Sequence, residues 1–318
     1  MVDPVVYSFP FINMLMVGFT VPWSSLSNPV YAVEGWSVKD ACMILHEEIV
    51  HLFFSAFFHE DGMERSHVVH VKTSDFKEYT EPLFCWRGKE KGWIGMCSPN
   101  ISVIDGAYYL TYNSWGDKKD QPNQLFMARS TDMVSWKKYP LAHEITKNER
   151  AIDAALVKDS AGRYILFYKR NQEPVVAWTR NLHSGPWTSL SKVSGGLIWF
   201  ENSQLIEIDG KWHLLCKTRM NGASMGSMII EDPSSESCRL EEWTRFIDFR
   251  MLDIPLESFN TKSHANAPFL VDWRNRDGYF YLLYAGSTEG NTHAGRGDNK
   301  LGLARSPNLV SWEVPPGS

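Results

Sequence analysis

The sequence lacks the features that define several protein classes. Its five cysteines are an odd number, with no pair at CxxC spacing, which argues against a disulfide framework and favours free thiols in a reducing compartment. No run of lysines and arginines occurs and the net charge is -5, so the cationic surface that binds nucleic acid is missing. We expect no nucleic-acid partner and favour a cytoplasmic location, or secretion if a signal peptide has been lost.

Long apolar segments are also missing. The stretch FPFINMLMVGF (9–19) is apolar, but it is too short to span a membrane and has no basic segment before it. We expect it to form a buried strand or packing arm within an N-terminal arm or closing-strand region over 1–35. No long helical period follows, so no membrane partner and no helical domain are predicted.

A repeat is present instead, and it predicts the fold. Two segments, SPNISVIDGAYYLTYNSW (98–115) and APFLVDWRNRDGYFYLLYAG (267–286), are followed by the similar tails MARSTDMVSW and LARSPNLVSW. Weaker copies of the pattern begin at Ala41, Ala154 and Asn202. A repeated unit that is built from several alternating strands is typical of a propeller.

Turn residues separate the alternating runs in each copy. They are Asp105-Gly106, Ala161-Gly162, Asp209-Gly210 and Asp277-Gly278, with the weaker turn Glu47-Glu48 in the first copy. Asp-Gly between alternating strands is a strong hairpin signal. The sequence therefore predicts an all-β fold, a single five-bladed β-propeller over 1–318 with four-stranded antiparallel blades around a central channel. The predicted blades cover 36–83, 94–140, 150–190, 199–245 and 262–313.

Carboxylates fall near the start of three of these copies. Asp153 and Glu201 each lie nine residues before a turn glycine, and Asp40 lies eight before Glu48. First strands line the channel of a propeller, so these offsets predict that the three carboxylates lie at a similar channel depth. Glycoside cleavage needs one carboxyl group as acid and a second as base or nucleophile, and crowding separates their pKa values.

Other polar and aromatic residues near the predicted strand ends are candidates for substrate binding. Tryptophan rings stack on sugars, and amide, guanidinium and imidazole groups bind hydroxyls. Structural roles in the core or in ion pairs are the alternative for each. The candidates are Trp36, Asn100, Trp115, Arg170, Trp199, Arg219 and His264.

Over essentially all of residues 36–313 the chain resembles the five-bladed propeller glycosidases, most closely glycoside hydrolase family 43. The resemblance is carried by VKDACMI around Asp40, RAIDAALVKDSAGRYILFY around Asp153 and FENSQLIEIDGKWHLL around Glu201. It implies that Asp40 is the general base and that Glu201 is the general acid. It also implies that Asp153 tunes the pKa values of these groups and holds the acid in position. It also implies a channel metal, commonly calcium, near His264, although the chemistry itself requires no cofactor.

The same segments are similar to the related fructosidase families, which leaves alternatives open. WFENSQLI resembles their acid motif, and in those families the first Asp is a nucleophile and the configuration is retained. We expect an oligosaccharide or glycoside substrate, with a furanoside or pentoside and an inverting reaction favoured. The alternatives are a retaining hydrolase with Asp40 as nucleophile and a carbohydrate-binding propeller without catalysis.

Overall fold

The computed structural model describes residues 18–87, 93–116, 120–193, 200–217, 222–228, 239–289 and 297–318. These residues form consecutive groups of antiparallel strands, which we call units 1 to 5. Two α-helices of one turn, α1 (His143–Thr146) and α2 (Arg274–Asp277), accompany them. The all-β prediction is confirmed.

The strands follow one another through the units in chain order. Unit 1 contains β1 (Ser37–His46), β2 (Ile49–Glu60), β3 (Met63–Thr73) and β4 (Phe84–Trp86). Unit 2 contains β5 (Gly95–Ile104), β6 (Ala107–Trp115), β7 (Leu125–Ser130) and β8 (Lys137–Pro140). Unit 3 contains β9 (Ala151–Lys158), β10 (Tyr164–Arg170), β11 (Glu173–Thr179) and β12 (Thr188–Lys192). Unit 4 contains β13 (Glu201–Ile208), β14 (Lys211–Lys217), β15 (Ala223–Met228) and β16 (Phe246–Met251). Unit 5 contains β17 (Ser263–Trp273), β18 (Tyr279–Ser287) and β19 (Lys300–Ser306).

Each unit pairs its strands in sequence order, and one close approach joins units 1 and 2. Ser66 of β3 pairs with Gly95 of β5 in parallel. A Cβ at Gly95 would lie 1.7 Å from the carbonyl oxygen of Ser66. Only glycine allows the two backbones to approach so closely.

The predicted hairpin turns form at two of the Asp-Gly positions and differ at a third. Asp105-Gly106 and Asp209-Gly210 have positive φ at both residues, as a two-residue hairpin of type I′ requires. The hairpin predicted at Asp277-Gly278 also forms, between β17 and β18, but its turn is longer than two residues because α2 lies between the strands. Gly278 ends that helix in the left-handed conformation, with φ +89°.

Apolar side chains pack between neighbouring units. Phe167 of β10 packs in the cluster shared with unit 4, whereas the next residue, Tyr168, packs in the cluster shared with unit 2. Consecutive strand residues face opposite sides of a sheet, so one strand contributes to two cores. A further cluster joins units 4 and 5, and the largest joins units 1, 2 and 5.

The repeated tails also have a common structure. After β7, the Oδ1 atom of Asp132 accepts hydrogen bonds from the backbone N–H groups of Val134 and Ser135. Asn308 makes the same pair of bonds after β19. The Ser-x-Asp and Ser-x-Asn pattern therefore marks an Asx turn that ends the third strand of these units.

Residues near the start of the described chain pack on unit 5. Tyr31 forms an antiparallel bridge with Leu301 of β19, and the side chain of Asn28 bonds both the N–H and the carbonyl group of Leu303. The N-terminal region therefore joins the last unit to the first. No helix in the described ranges is long and apolar enough to cross a membrane.

Candidate active site

One backbone irregularity recurs in the first strand of all five units. At each position two residues of the first strand face one residue of the second, which is a β-bulge. The first bulge residue has a left-handed φ between +47° and +57°. These residues are Asp40, Ser98, Asp153, Asn202 and Ala267.

The bulges converge on one pocket that is partly open to solvent. Both residues of every bulge line it, together with Asn100 and Phe269. A bulge interrupts the alternation of a strand and re-aims a side chain. The repeated bulge therefore brings chemically different residues from five strands to one place.

Asp40 is buried at this pocket beside Lys39. Its Oδ1 atom lies 3.5 Å from Nζ of Lys39 and has no hydrogen-bond partner among the described residues. Burial raises the pKa of Asp40 above its ordinary value, and the carboxylates of Asp153 and Glu201 raise it further against the opposing effect of Lys39. Asp40 therefore favours its protonated form more strongly than an exposed aspartate does.

Asp153 occupies the equivalent position in unit 3 and has the opposite tendency. Burial alone would raise the pKa of Asp153, but the ammonium of Lys169, the hydroxyl of Ser98 and the backbone N–H of Asn202 hold it below its ordinary value. The Oδ2 atom lies 3.4 Å from Nζ of Lys169. Asp153 is therefore held as a carboxylate.

Glu201 contacts the same lysine from unit 4. Its Oε1 atom lies 2.7 Å from Nζ of Lys169, and the Glu201 side chain is 34% exposed while the lysine is 3% exposed. One buried ammonium thus contacts two of the three predicted carboxylates. At 2.7 Å the contact with Glu201 is a short charge-assisted hydrogen bond.

Two of the three predicted carboxylates share one strand position, and the third lies one residue earlier in its strand. Asp40 and Asp153 are both first bulge residues, whereas Glu201 precedes the bulge residue Asn202. The turn after β9 spans 159–163 and the turn after β13 spans 209–210. Counting to the turn glycine therefore gave equal offsets for unequal positions.

Three lysines near the predicted carboxylates were missed by the sequence interpretation. Lys169 and Lys217 lie opposite the residue before the bulge in units 3 and 4, in the segments FYKR and LCKTR. Lys39 directly precedes the first bulge. Aligning the second strands of the repeats would have placed Lys169 and Lys217 together.

The lysines differ in electrostatic surroundings. Burial opposes the charge on Lys39, but Asp40 and Glu201 raise its pKa above the ordinary value. Burial lowers the pKa of Lys217, and the neighbouring charge of Lys39 adds to that effect. Lys217 therefore loses its proton more readily than an exposed lysine.

The predicted substrate-binding residues are only partly at the pocket. Asn100 lines it and donates a hydrogen bond of 2.9 Å to the carbonyl of Ser203. Trp36 stacks on Phe58 with ring centroids 5.6 Å apart. Trp115 lies edge-on to Phe57 and below the guanidinium of Arg150. The two tryptophans thus have packing partners.

Arg170 forms an ion pair of 3.1 Å with Glu149 at the end of β10. An ion pair was the alternative to substrate binding for this residue. Trp199 and Arg219 lie outside the described residues. The substrate roles of all these residues stay predictions.

His264 bonds the backbone instead of a carboxylate. Its Nε2 atom lies 2.6 Å from the carbonyl oxygen of Ile254. Among the described residues, no group of three or more His, Cys, Asp or Glu side chains is arranged to hold a metal ion. Calcium prefers six to eight oxygen ligands, so these side chains alone do not fit a protein calcium site, and we assign no chemical step to a metal.

The fold is similar to that of solved glycosidases over nearly its whole length. A glycosyl hydrolase from Bacteroides ovatus aligns with a TM-score of 0.67 and 18% identity, covering 95% of this chain and 96% of that chain. A family 43 β-xylosidase/α-arabinofuranosidase from a compost metagenome, in complex with xylotriose, aligns with a TM-score of 0.59 and 16% identity, covering 89% and 96%.

Sequence comparison gives a shorter match. No protein-family profile matches the chain. A β-1,2-mannobiose phosphorylase of Thermoanaerobacter sp. (strain X514) is 30% identical over 97 residues, which is 30% of this chain and 30% of the relative. The match thus spans less than a third of the relative's length. Together with the structural alignments, the bulged channel strands lead to the conclusion that this chain has the β-propeller fold of the family 43-like glycosidases.

Proposed function

We propose that this chain is a glycoside hydrolase, a five-bladed propeller whose blades are units 1 to 5. The observation that carries the proposal is the grouping of Asp40, Asp153 and Glu201 around Lys39 and Lys169, beside a pocket that Asp40 and Asp153 line. Carboxylates in such a group differ in protonation, which is what acid and base catalysis requires. Asp40 and Glu201 divide the acid and base roles. Asp153 stays ionised, and its negative charge influences the protonation of the other two carboxyl groups.

The proposed reaction transfers the sugar to water. One carboxyl group protonates the glycosidic oxygen as the bond to the anomeric carbon breaks, and one carboxylate removes a proton from the attacking water. We favour inversion, and the alternative is retention with Asp40 as nucleophile. The family 43 neighbour that is named as a xylosidase and arabinofuranosidase, and that holds xylotriose, supports an oligosaccharide of pentoses or furanosides as the substrate.

Inorganic phosphate is a second candidate for the acceptor. Lys39, Lys169 and Lys217 lie close enough to affect one another or the same carboxylates electrostatically. Clustered cations favour an anionic acceptor, and the Thermoanaerobacter relative is named as a phosphorylase. In this reaction a phosphate oxygen replaces water, and a glycosyl phosphate leaves instead of the free sugar.

One assay separates these functions. The protein is incubated with a panel of nitrophenyl glycosides and oligosaccharides, with and without inorganic phosphate, and the products are identified by mass. We expect free sugar with and without phosphate. If product forms only when phosphate is added, and that product is a glycosyl phosphate, the second candidate is favoured. Binding of oligosaccharides without any cleavage would reject both enzymes and leave the carbohydrate-binding propeller.

A further inference from the structure

The second strand of every unit has one position that lies opposite the residue before the bulge, and we call it the support position. The strand pairing makes the five support positions equivalent, but their side chains differ in length, charge and hydrogen-bonding capacity. In chain order they are Ser55, Asn113, Lys169, Lys217 and Ala285.

Two of these side chains bond the bulge of the next unit. Ser55 of β2 accepts, at Oγ, a hydrogen bond of 2.8 Å from the backbone N–H of Ser98, the first bulge residue of unit 2. Asn113 of β6 accepts, at Oδ1, one of 3.1 Å from the backbone N–H of Asp153, the first bulge residue of unit 3. A bulge interrupts the strand ladder, so a buried N–H group there needs another acceptor. These support positions supply that acceptor from the preceding unit.

Asn113 is itself held by further hydrogen bonds. It is fully buried, and its Nδ2 atom donates to the carbonyl oxygen of Ser114 at 2.9 Å and to Sγ of Cys97 at 3.2 Å. The N–H of Asp153 can only donate and the carbonyl of Ser114 can only accept, so the amide group fits in one orientation. Asn113 therefore offers Oδ1 to β9 at a fixed place.

The carboxylate of Asp153 has its partners in other places. Its Oδ2 atom lies 3.4 Å from Nζ of Lys169 in unit 3, and the carboxylate also accepts hydrogen bonds from the hydroxyl of Ser98 and the backbone N–H of Asn202. Asn113 contacts the same residue through its backbone. A shift of the bulge would therefore move the carboxylate relative to all of these partners at once.

Resting on the proposed function, we propose that Asn113 is a positioning residue for the reaction, which holds the backbone of Asp153 so that its carboxylate stays beside Lys169. Asn113 is not among the described residues that line the pocket. It acts through Asp153 alone. Its loss should therefore lower kcat and leave KM nearly unchanged, because the other residues of the pocket stay in place.

Asn113→Leu tests this role, because leucine keeps the branched shape and removes all three hydrogen bonds. The variant is assayed on the nitrophenyl glycoside that the wild type cleaves fastest. We expect kcat to fall about 10²-fold, as for other small displacements of a reacting group, and KM to change less than about threefold. Asn113→Ser carries the residue of the unit 1 support position and should restore part of kcat. If Asn113→Leu does not fold, Asn113→Ala replaces it in every comparison.

Asn260→Leu is the matched control. Asn260 is also fully buried, and its Oδ1 atom accepts a backbone N–H, that of Glu257, at 2.7 Å. Its kcat should stay within about threefold of the wild-type value, since this hydrogen bond holds no bulge. An equal loss of kcat in Asn260→Leu and Asn113→Leu would overturn the proposal, and so would a wild-type kcat in Asn113→Leu.

A double-mutant cycle separates positioning from a general structural role. Asp153→Asn removes the charge that Asn113 holds in place, so in that background Asn113→Leu should lower kcat by less than about threefold. A structural defect would lower kcat by the same factor in both backgrounds. A double variant whose loss equals the product of the two single losses would therefore overturn the proposal.

Hydrogen exchange tests the contact without a substrate. Mass spectrometry of the segment 151–158 should show one amide that exchanges about fivefold faster in Asn113→Leu, the factor expected for one lost hydrogen bond, and Asn260→Leu should leave the segment unchanged. Unchanged exchange in Asn113→Leu would show that Asn113 does not hold the bulge. A wild type that cleaves nothing rejects the hydrolase proposal, and the exchange result still decides whether this contact exists.

Discussion

Asp40 in unit 1 and Asp153 in unit 3 have the same residue type, the same bulge position and nearly the same φ, +51° and +57°. Both are buried, and both lie about equally far from a lysine, at 3.5 Å and 3.4 Å. Their pKa values nevertheless move in opposite directions. The backbone therefore fixes where each carboxyl group lies, and side chains from other strands decide its charge.

The difference comes from the number of donors around each carboxylate. Asp153 receives the hydroxyl of Ser98 and the backbone N–H of Asn202 in addition to Lys169, whereas Asp40 has Ser55 and Lys39 and two neighbouring carboxylates. Donors favour the ionised form and like charges disfavour it. Changing these neighbours should alter the two aspartates separately.

Removing the lysines should have the largest effect on stability. Lys169→Met leaves Asp153 and Glu201 without their shared cation, and we expect a loss of about 3–5 kcal/mol, as for other broken buried ion pairs. Lys39→Met should cost less, because Asp40 can take up a proton and become neutral. Urea unfolding at pH 7 measures both variants. Equal losses of unfolding free energy in the two variants would show that the surroundings of Lys169 and Lys39 do not differ in this way.

Neutralising each aspartate should change stability in opposite directions. The folded-state pKa of Asp40 is raised, so its contribution is lost as the pH rises through that pKa, and its charge opposes folding at pH 7. The folded-state pKa of Asp153 is lowered, so its contribution is present above the unfolded pKa and lost as the pH falls through the folded pKa.

We therefore expect Asp40→Asn to raise Tm at pH 7 by about 2 °C, the shift that roughly 1 kcal/mol gives in a domain of this kind. Asp153→Asn should lower it. Calorimetry at pH 7 and at pH 3 measures both, and the difference between the variants should shrink at the lower pH. A fall in Tm for both variants at pH 7 would contradict the assignment of charge.

Removing single hydroxyl groups should have the smallest effect, about 0.5 kcal/mol each. Ser55→Ala removes a hydrogen bond that lowers the pKa of Asp40, and Ser98→Ala removes one that lowers the pKa of Asp153. The limb of the kcat/KM profile that depends on Asp40 should move to higher pH in Ser55→Ala and stay in place in Ser98→Ala. A shift of that limb in Ser98→Ala alone would show that it depends on another residue.

The sequence was sufficient for the strand repeat because its signals are local. The Asp-Gly turns at 105 and 209, the alternating strands and the Ser-x-Asp tails depend on contacts within a few residues, and the structure has them. The hairpin at Asp277-Gly278 has a longer turn than the other two, because a one-turn helix ending in Gly278 uses the same Asp-Gly pair. Local residue preference cannot distinguish these two uses of a glycine.

The carboxylates could be found in the sequence, but their electrostatics could not. Asp40, Asp153 and Glu201 begin recognisable copies of the repeat, whereas their partner Lys169 lies on a second strand and contacts Glu201 from another unit. A hydrogen bond between units depends on how the sheets pack. The bulge could not be recognised in the sequence either, because Asp40, Ser98 and Ala267 share no side-chain property that would indicate a common left-handed position.

The ring of left-handed bulge residues has a consequence for how such a protein can evolve. Ala267 occupies the same backbone position as Asp40 and Asp153 but brings no polar group to the pocket. Asp and Asn adopt this conformation more readily than most residues, so a single substitution there adds a polar side chain to the pocket without an insertion or a change in strand pairing. The chemistry of the pocket can therefore change one residue at a time, on a scaffold whose hydrogen-bonded sheets stay the same.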